Sequence, residues 1–222
     1  MDAEQTAAAD ERSKPATGYR LLLPSQWAQV PLRQGTDEAV GSILKDLFSR
    51  IPEHLPPDKV GPYKREISAR FRSSVAQAQL KNGLDLYVPV KPVGDQKFNL
   101  GASILVTETT LPERELGASF ADPTDLVVQL LSREGSNSNV SSGEVDGAVA
   151  VRREFVAEAD PNHGVGVPSR RVEYIASVPG NPARWFVAAF STIGGGNPRD
   201  ELAEVLVEWF DAVMATFRWR FE

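Results

Sequence analysis

Cysteine is absent from the 222 residues, and histidine occurs only twice, at His54 and His163. The first absence excludes a disulfide scaffold, an iron–sulfur cluster, a thiolate zinc site and a cysteine nucleophile. The second removes most zinc and non-haem iron sites, which draw on two or three histidines. No apolar run reaches the roughly 18 residues that a membrane span needs. The opening MDAEQTAAADERSKPATG carries acids where a secretion signal is positive, and it has no apolar centre. The G-x-S-x-G, Walker A and H-E-x-x-H sequences are missing too. These absences lead us to expect a cytoplasmic protein with no metal, no cofactor and no assignable catalytic residue. A hydrolase built from dispersed residues is the enzyme class they leave open.

What is present is an ordinary globular composition, 41% hydrophobic and 24% charged. A chain of this length can bury a core without a covalent staple. Lysine and arginine number 24 against 30 acids, a net charge of −6. That balance offers no broad basic surface, so nucleic acid is not expected as a partner.

Residues 1–18 hold almost no large apolar side chain and read as a disordered tail, leaving 19–222 as a single domain. Tyr19 to Leu23 and Gln26 to Leu32 read as two strands joined by a tight turn at Pro24-Ser25. Thr36 is the expected N-cap of a first helix, with Asp37 and Glu38 suiting the positive end of its dipole. Val40, Ile43, Leu44, Leu47, Phe48 and Ile51 then repeat at helical spacing as one buried stripe. A second helix is expected from Asp58 or Pro62 to Lys81, with Tyr63, Ile67, Phe71, Val75 and Ala78 inward and Asn82-Gly83 as its stop.

The period then changes. Leu84 to Val90 and Gly101 to Thr109 read as strands, and Asp122-Pro123 opens a third helix running to about Arg133. GSNSNVSSG reads as a loop, followed by β-rich runs at Glu144 to Glu158, Arg170 to Val178 and Ala183 to Ile193. Val172, Tyr174, Ala176 and Val178 alternate with Arg171, Glu173 and Ser177, apart from Ile175, as in a strand with one wet face, and Val178 to Pro182 turns it into a hairpin. Asn197 and Pro198 should start a last helix whose inner face is Leu202, Val205, Leu206, Trp209, Phe210, Val213 and Phe217. This order predicts an α+β fold with a mainly antiparallel sheet packed by amphipathic helices, including a long C-terminal one.

Few residues suggest chemistry. Gly194-Gly195-Gly196 lies between a strand and a helix, as a phosphate loop would, but Arg199 replaces the third glycine and Asp200 and Glu201 crowd the helix start. It reads as a plain connection. Both histidines fall in proline- or glycine-rich stretches with no nucleophile or ligand spacing beside them. Charge is more informative. From Lys59 to Lys81 six cations face one acid, a net of +5, whereas from Arg199 to Asp211 five acids face one cation, a net of −4. Lys64, Arg65 and Arg72 on one helix and Glu201, Glu204 and Glu208 on the other are therefore candidate partner-binding residues. Trp219, in FRWRFE, is either a core residue or an exposed partner anchor. An alternative site is an apolar pocket between a curved sheet and the last helix, lined by Phe186, Phe190, Trp209 and Val213.

The segment YRLLLPSQW, the amphipathic first helix, the late sheet and the long terminal helix ending in FRW resemble the Mog1/PsbP-like α+β group, especially bacterial members from actinobacteria. The likeness runs over about residues 19–220, and the second helix is an addition to the group's simplest pattern. It implies a non-catalytic accessory or assembly protein that binds a protein partner. The alternative expectation is a small-molecule-binding protein.

Overall fold

A computed structural model describes residues 14–51, 56–91, 100–110, 138–160 and 166–221. Both histidines, residues 1–13 and the helix expected at 122–133 lie outside the described residues. The fold is α+β, with antiparallel strands, three helices among the described residues and a long helix near the C-terminus. Its contacts divide the chain into two compact units, Pro24–Thr107 and the remainder. Each is described by itself.

In the 24–107 unit, strands β2 (Trp27–Pro31), β3 (Gly83–Pro89) and β4 (Ala102–Thr110, which begins here) lie in the order β2-β3-β4. Helices α1 (Thr36–Ser49) and α2 (Pro57–Leu80) stand between β2 and β3 in the chain. The stripe expected on α1 is inward: Val40 and Leu44 are buried with Val30, Leu32, Val75, Ala78 and Leu86, and Ile43, Phe48, Ile67 and Phe71 pack around them. Tyr63 departs from expectation, being 55% exposed. It lies 40° around the helix from Ile67, on the side away from Phe71 and Val75, by the 100° per residue of α-helical geometry.

The α1 cap also differs. Gly35, at φ 75°, is the N-cap, and no side chain caps the helix. The Thr36 hydroxyl donates backward to the Pro31 carbonyl at 2.7 Å, so it does not serve the helix amides. At the far end of α2 the expected Asn82-Gly83 stop is present, with Asn82 at φ 56°. Gly83 is demanded by packing. A Cβ there would lie 2.3 Å from Leu32 Cδ1 and 2.7 Å from the Ala78 carbonyl oxygen. Gly83→Ala is expected to destabilise the protein by about 1–3 kcal/mol, as other overpacked sites do, read as a lower urea midpoint.

In the other unit, β1 (Gly18–Arg20) pairs with β9 (Arg218–Arg220), opposing Tyr19 to Trp219. The two N-terminal strands expected on either side of Pro24-Ser25 are both present, and β2 pairs with β3. Residues 16–18, expected within the loose tail, are held in place. The Ala16 amide donates to the Pro179 carbonyl at 3.0 Å and the Thr17 amide to the Arg220 carbonyl at 2.9 Å, so backbone bonds hold residues that composition alone leaves loose.

Strands β5 (Asn139–Val145), β6 (Ala148–Ala157), β7 (Ser169–Val178) and β8 (Asn181–Thr192) follow in the antiparallel order β8-β7-β6-β5. The run read as one segment from Glu144 is a hairpin that takes in half of the supposed GSNSNVSSG loop. Asp146 and Gly147, at φ 49° and 76°, form its two-residue turn. Such turns need positive φ at both positions, for which Asp-Gly is suited. Helix α3 (Glu201–Ala215) covers the face carrying Val172, Phe186 and Phe190, and Phe190 stacks on Phe210 with centroids 5.0 Å apart. The face expected to be wet is not uniformly so. Val151 and Trp185 are buried there, with Val140 and Ile175 packed against them.

Candidate functional site

The glycine-rich stretch is built to hold its own chain. Gly194 and Gly196 adopt positive φ, and Asp200, not Asn197, caps α3. The Asp200 carboxylate accepts from the Ala203 amide and from the Gly195 amide, each at 2.7 Å. The Ala203 bond, with that from Gly195, keeps this carboxyl below its usual range despite the opposing desolvation. A carboxylate therefore occupies the place that a phosphate would take. Asn197 instead accepts from the Arg199 amide at 3.0 Å.

The acids of α3 fall into two sets. Asp211 takes a forked pair of bonds from Arg152, both at 2.9 Å, and a third from the Tyr174 hydroxyl at 2.9 Å. Arg152 also reaches Glu154 at 2.9 Å, and Arg170 joins Glu154 to Glu204, each at 2.7 Å. Register explains the meeting. Arg152 opposes Tyr174 and Val156 opposes Arg170, so these side chains share the face beneath α3. Glu204, expected as a partner-binding acid, is thus tied to the sheet. Glu201 and Glu208 remain exposed.

The electrostatics of this network hold each of its shifted groups in its ordinary charge state near neutral pH. Burial opposes the charge on Arg152, but bonds to Asp211 and Glu154 outweigh it and raise its pKa. Arg170 is raised in the same way by Glu154 and Glu204. Burial lifts the Tyr174 hydroxyl well above its usual range, and Asp211 lifts it further. The opposite holds for Glu154, whose burial is outweighed by Arg170 and Arg152, so its carboxyl lies below the usual range. Every shift moves away from the region where a general acid or base works best. Among the described residues no three potential metal ligands gather.

The four residues expected to line a pocket are divided between two packed groups. Phe190 is fully buried and stacked on Phe210, Val213 is buried, and Trp209 is half-exposed with its ring 6.2 Å from Phe190. Phe186 belongs to a second aromatic group, 5.1 Å from Tyr19, 4.9 Å from Phe217 and 5.5 Å from Trp219. Trp219 is only 8% exposed, so the exposed-anchor reading is corrected. Its strand pairing with β1 turns the ring into the aromatic group, and its amide donates to Asp146 at 2.8 Å.

Of the candidate cations, Arg65 is exposed on α2 and Arg72 lies 3.6 Å from Asp37, while Lys64 rests over the Phe48 ring at 5.4 Å. Two features escaped the sequence reading. Leu202 and Val205, expected inside, are 40% and 53% exposed on α3. Their hydrophobicity was read as burial, although only register against the sheet decides which flank of a broad apolar helix is covered. The second is an apolar hollow of about 230 Å³ in the 24–107 unit, where α1, α2 and β3 meet. Its helical lining was legible as buried stripe, but a space between stripes leaves no signal in composition.

No helix among the described residues is long and apolar enough to cross a membrane. No protein-family model matches the chain, and no curated protein matches it. Among solved structures, LpqN of Mycobacterium tuberculosis, involved in cell envelope biogenesis, aligns with 93% of this chain and 90% of its own at 10% identity and a TM-score of 0.46. PA94 of Pseudomonas aeruginosa, a protein of unknown function, aligns with 60% of this chain and 88% of its own at 14% identity and a TM-score of 0.34. Neither likeness is strong enough to define a family for this chain.

Proposed function

We propose that this chain is a non-catalytic accessory protein that docks a basic, amphipathic segment of a protein partner on the outward flank of α3. The observation that carries this reading is the flank itself. Leu202 and Val205 are exposed, half-exposed Trp209 and exposed Ala212 continue the apolar line, and Glu201 and Glu208 border it. An apolar strip edged by charge of one sign favours a partner helix with the opposite edge, and the charges set orientation and encounter rate. Glu204 and Asp211 contribute to holding the helix on the sheet, which presents the strip on a rigid support.

A photo-crosslinking residue at position 205 identifies the partner and the segment touched. The purified partner is then titrated against wild type, Val205→Asp and Glu208→Lys. Val205→Asp is expected to weaken binding at least about tenfold, as loss of a central apolar contact does. Glu208→Lys should weaken it less and flatten the salt dependence. A crosslinked segment that is acidic, or binding lost with Arg65→Glu on α2 and kept in Val205→Asp, overturns the reading.

A further inference from the structure

We propose that the apolar hollow between α1, α2 and β3 is a binding site for the alkyl chain of a carboxylate-headed amphiphile. Ile43 and Leu47 line it from α1, Ile67 and Phe71 from α2, and Val88 and Val90 from β3 and the residue just beyond it. Leu44 and Pro89 complete a lining that is apolar throughout among the described residues. The hollow is partly open to solvent, so a ligand can enter without unfolding the helix pair. Apolar space of this kind is poor ground for water, which needs two to four polar partners. It is also costly to leave empty, because the lining atoms forgo their contacts.

The volume sets the length of the tail. At about 30 Å³ per methylene, the share that a water molecule takes in liquid, 230 Å³ accommodates about eight carbons. Each methylene buried should tighten binding by about three- to fourfold until the hollow is full, and add little after that.

The rim sets the head group. Arg50 follows Leu47 by one helical turn, and its guanidinium donates to the carbonyl of the lining residue Val90 at 2.6 Å, which places it beside the hollow. Another of its nitrogens pairs with Asp46, and an arginine has five N–H donors, so donors remain for a carboxylate. Lys64 precedes Ile67 by one turn and holds its ammonium over Phe48. Lys91, exposed, directly follows Val90. Of the two described acids next to lining residues, Asp46 pairs with Arg50 and Glu66 with Arg70, which leaves Lys64, Lys91 and the remaining Arg50 donors to favour an anionic head. A guanidinium fork suits a carboxylate particularly well. The same rim disfavours a cationic head and gives nothing extra to a neutral one.

The test uses the full chain with its isoleucine, leucine and valine methyl groups isotopically labelled. Butanoate, hexanoate, octanoate, decanoate, octan-1-ol and octyltrimethylammonium are titrated below their aggregation limits. Octanoate is expected to shift the methyl signals of Ile43, Leu47, Ile67 and Val88 first. Affinity should rise from butanoate to octanoate and level off at decanoate. Octanol should bind about three- to tenfold more weakly than octanoate, and the cation more weakly still. Arg50→Gln, which leaves the apolar lining intact, should remove most of the difference between octanoate and octanol. Leu47→Trp, which fills the hollow, should abolish all three. Shifts elsewhere on the protein, no saturable shift, or equal affinity for the three heads each overturn the proposal. The chain-length series and Arg50→Gln keep this decision open to measurement even if Leu47→Trp does not fold.

Discussion

Phe210→Ala is expected to lower stability by about 3–5 kcal/mol, the range for truncating a phenylalanine in a closed core. Phe210 is 0% exposed on the buried face of α3. Its ring stacks on Phe190 at 5.0 Å and meets the edge of Tyr174 at 5.8 Å. Removing it takes away transfer energy and two aromatic contacts, and it leaves a space that strands β7 and β8 are too well paired to close. Leu202→Ala on the same helix loses a side chain that is already 40% exposed, so about 1 kcal/mol or less is expected. Chemical denaturation followed by tryptophan fluorescence compares the two variants directly. Near-equal losses would mean that α3 is not anchored through Phe210.

That contrast shows what the sequence could and could not convey. Helical period located α1, α2 and α3 to within a few residues, because repeated apolar spacing reports that a face is buried. It could not tell which edge of a wide face is covered, so Leu202, Val205 and Tyr63 were all assigned inward and are all exposed. Local hydrogen-bond chemistry was ambiguous for a related reason. Thr36 and Asp200 are both sound caps by residue type, yet one gives its hydroxyl to Pro31 and the other caps α3. The Asp146-Gly147 turn was legible from its residue pair and was passed over inside a run that looked uniformly β-rich. The candidate sites were less readable than the fold. The acids of α3 looked like one solvated edge, and only the strand register brings Arg152 and Arg170 under two of them. What remains for a partner is the part of the helix that the sheet does not use.

The same network gives the second large effect. Glu154→Gln should cost about 1–3 kcal/mol at neutral pH, since charge-assisted bonds from two guanidinium groups are weakened while Arg152 keeps Asp211 and Arg170 keeps Glu204. The Glu154 side chain is 14% exposed and lies between Arg152 and Arg170, themselves 19% and 16% exposed. Glutamine keeps the shape and one acceptor but removes the charge that both guanidinium groups face. Acid gives an independent check with a definite sign. Burial alone would raise the Glu154 carboxyl, but the bonds and charges of Arg170 and Arg152 prevail and hold it below its ordinary 4.5. A group that releases its proton more readily when folded stabilises the fold above its unfolded pKa. That contribution is lost as pH falls through the lower, folded value. The wild-type advantage over Glu154→Gln should therefore be complete at neutral pH, persist to about pH 5, and narrow steadily below about pH 4. Denaturation midpoints at several pH values test both points. An advantage that stays constant into strong acid would show that the carboxylate charge is not what holds Arg152 and Arg170 beneath α3. A small difference at neutral pH, with a fold otherwise intact, would assign that task to Asp211 and Glu204 alone.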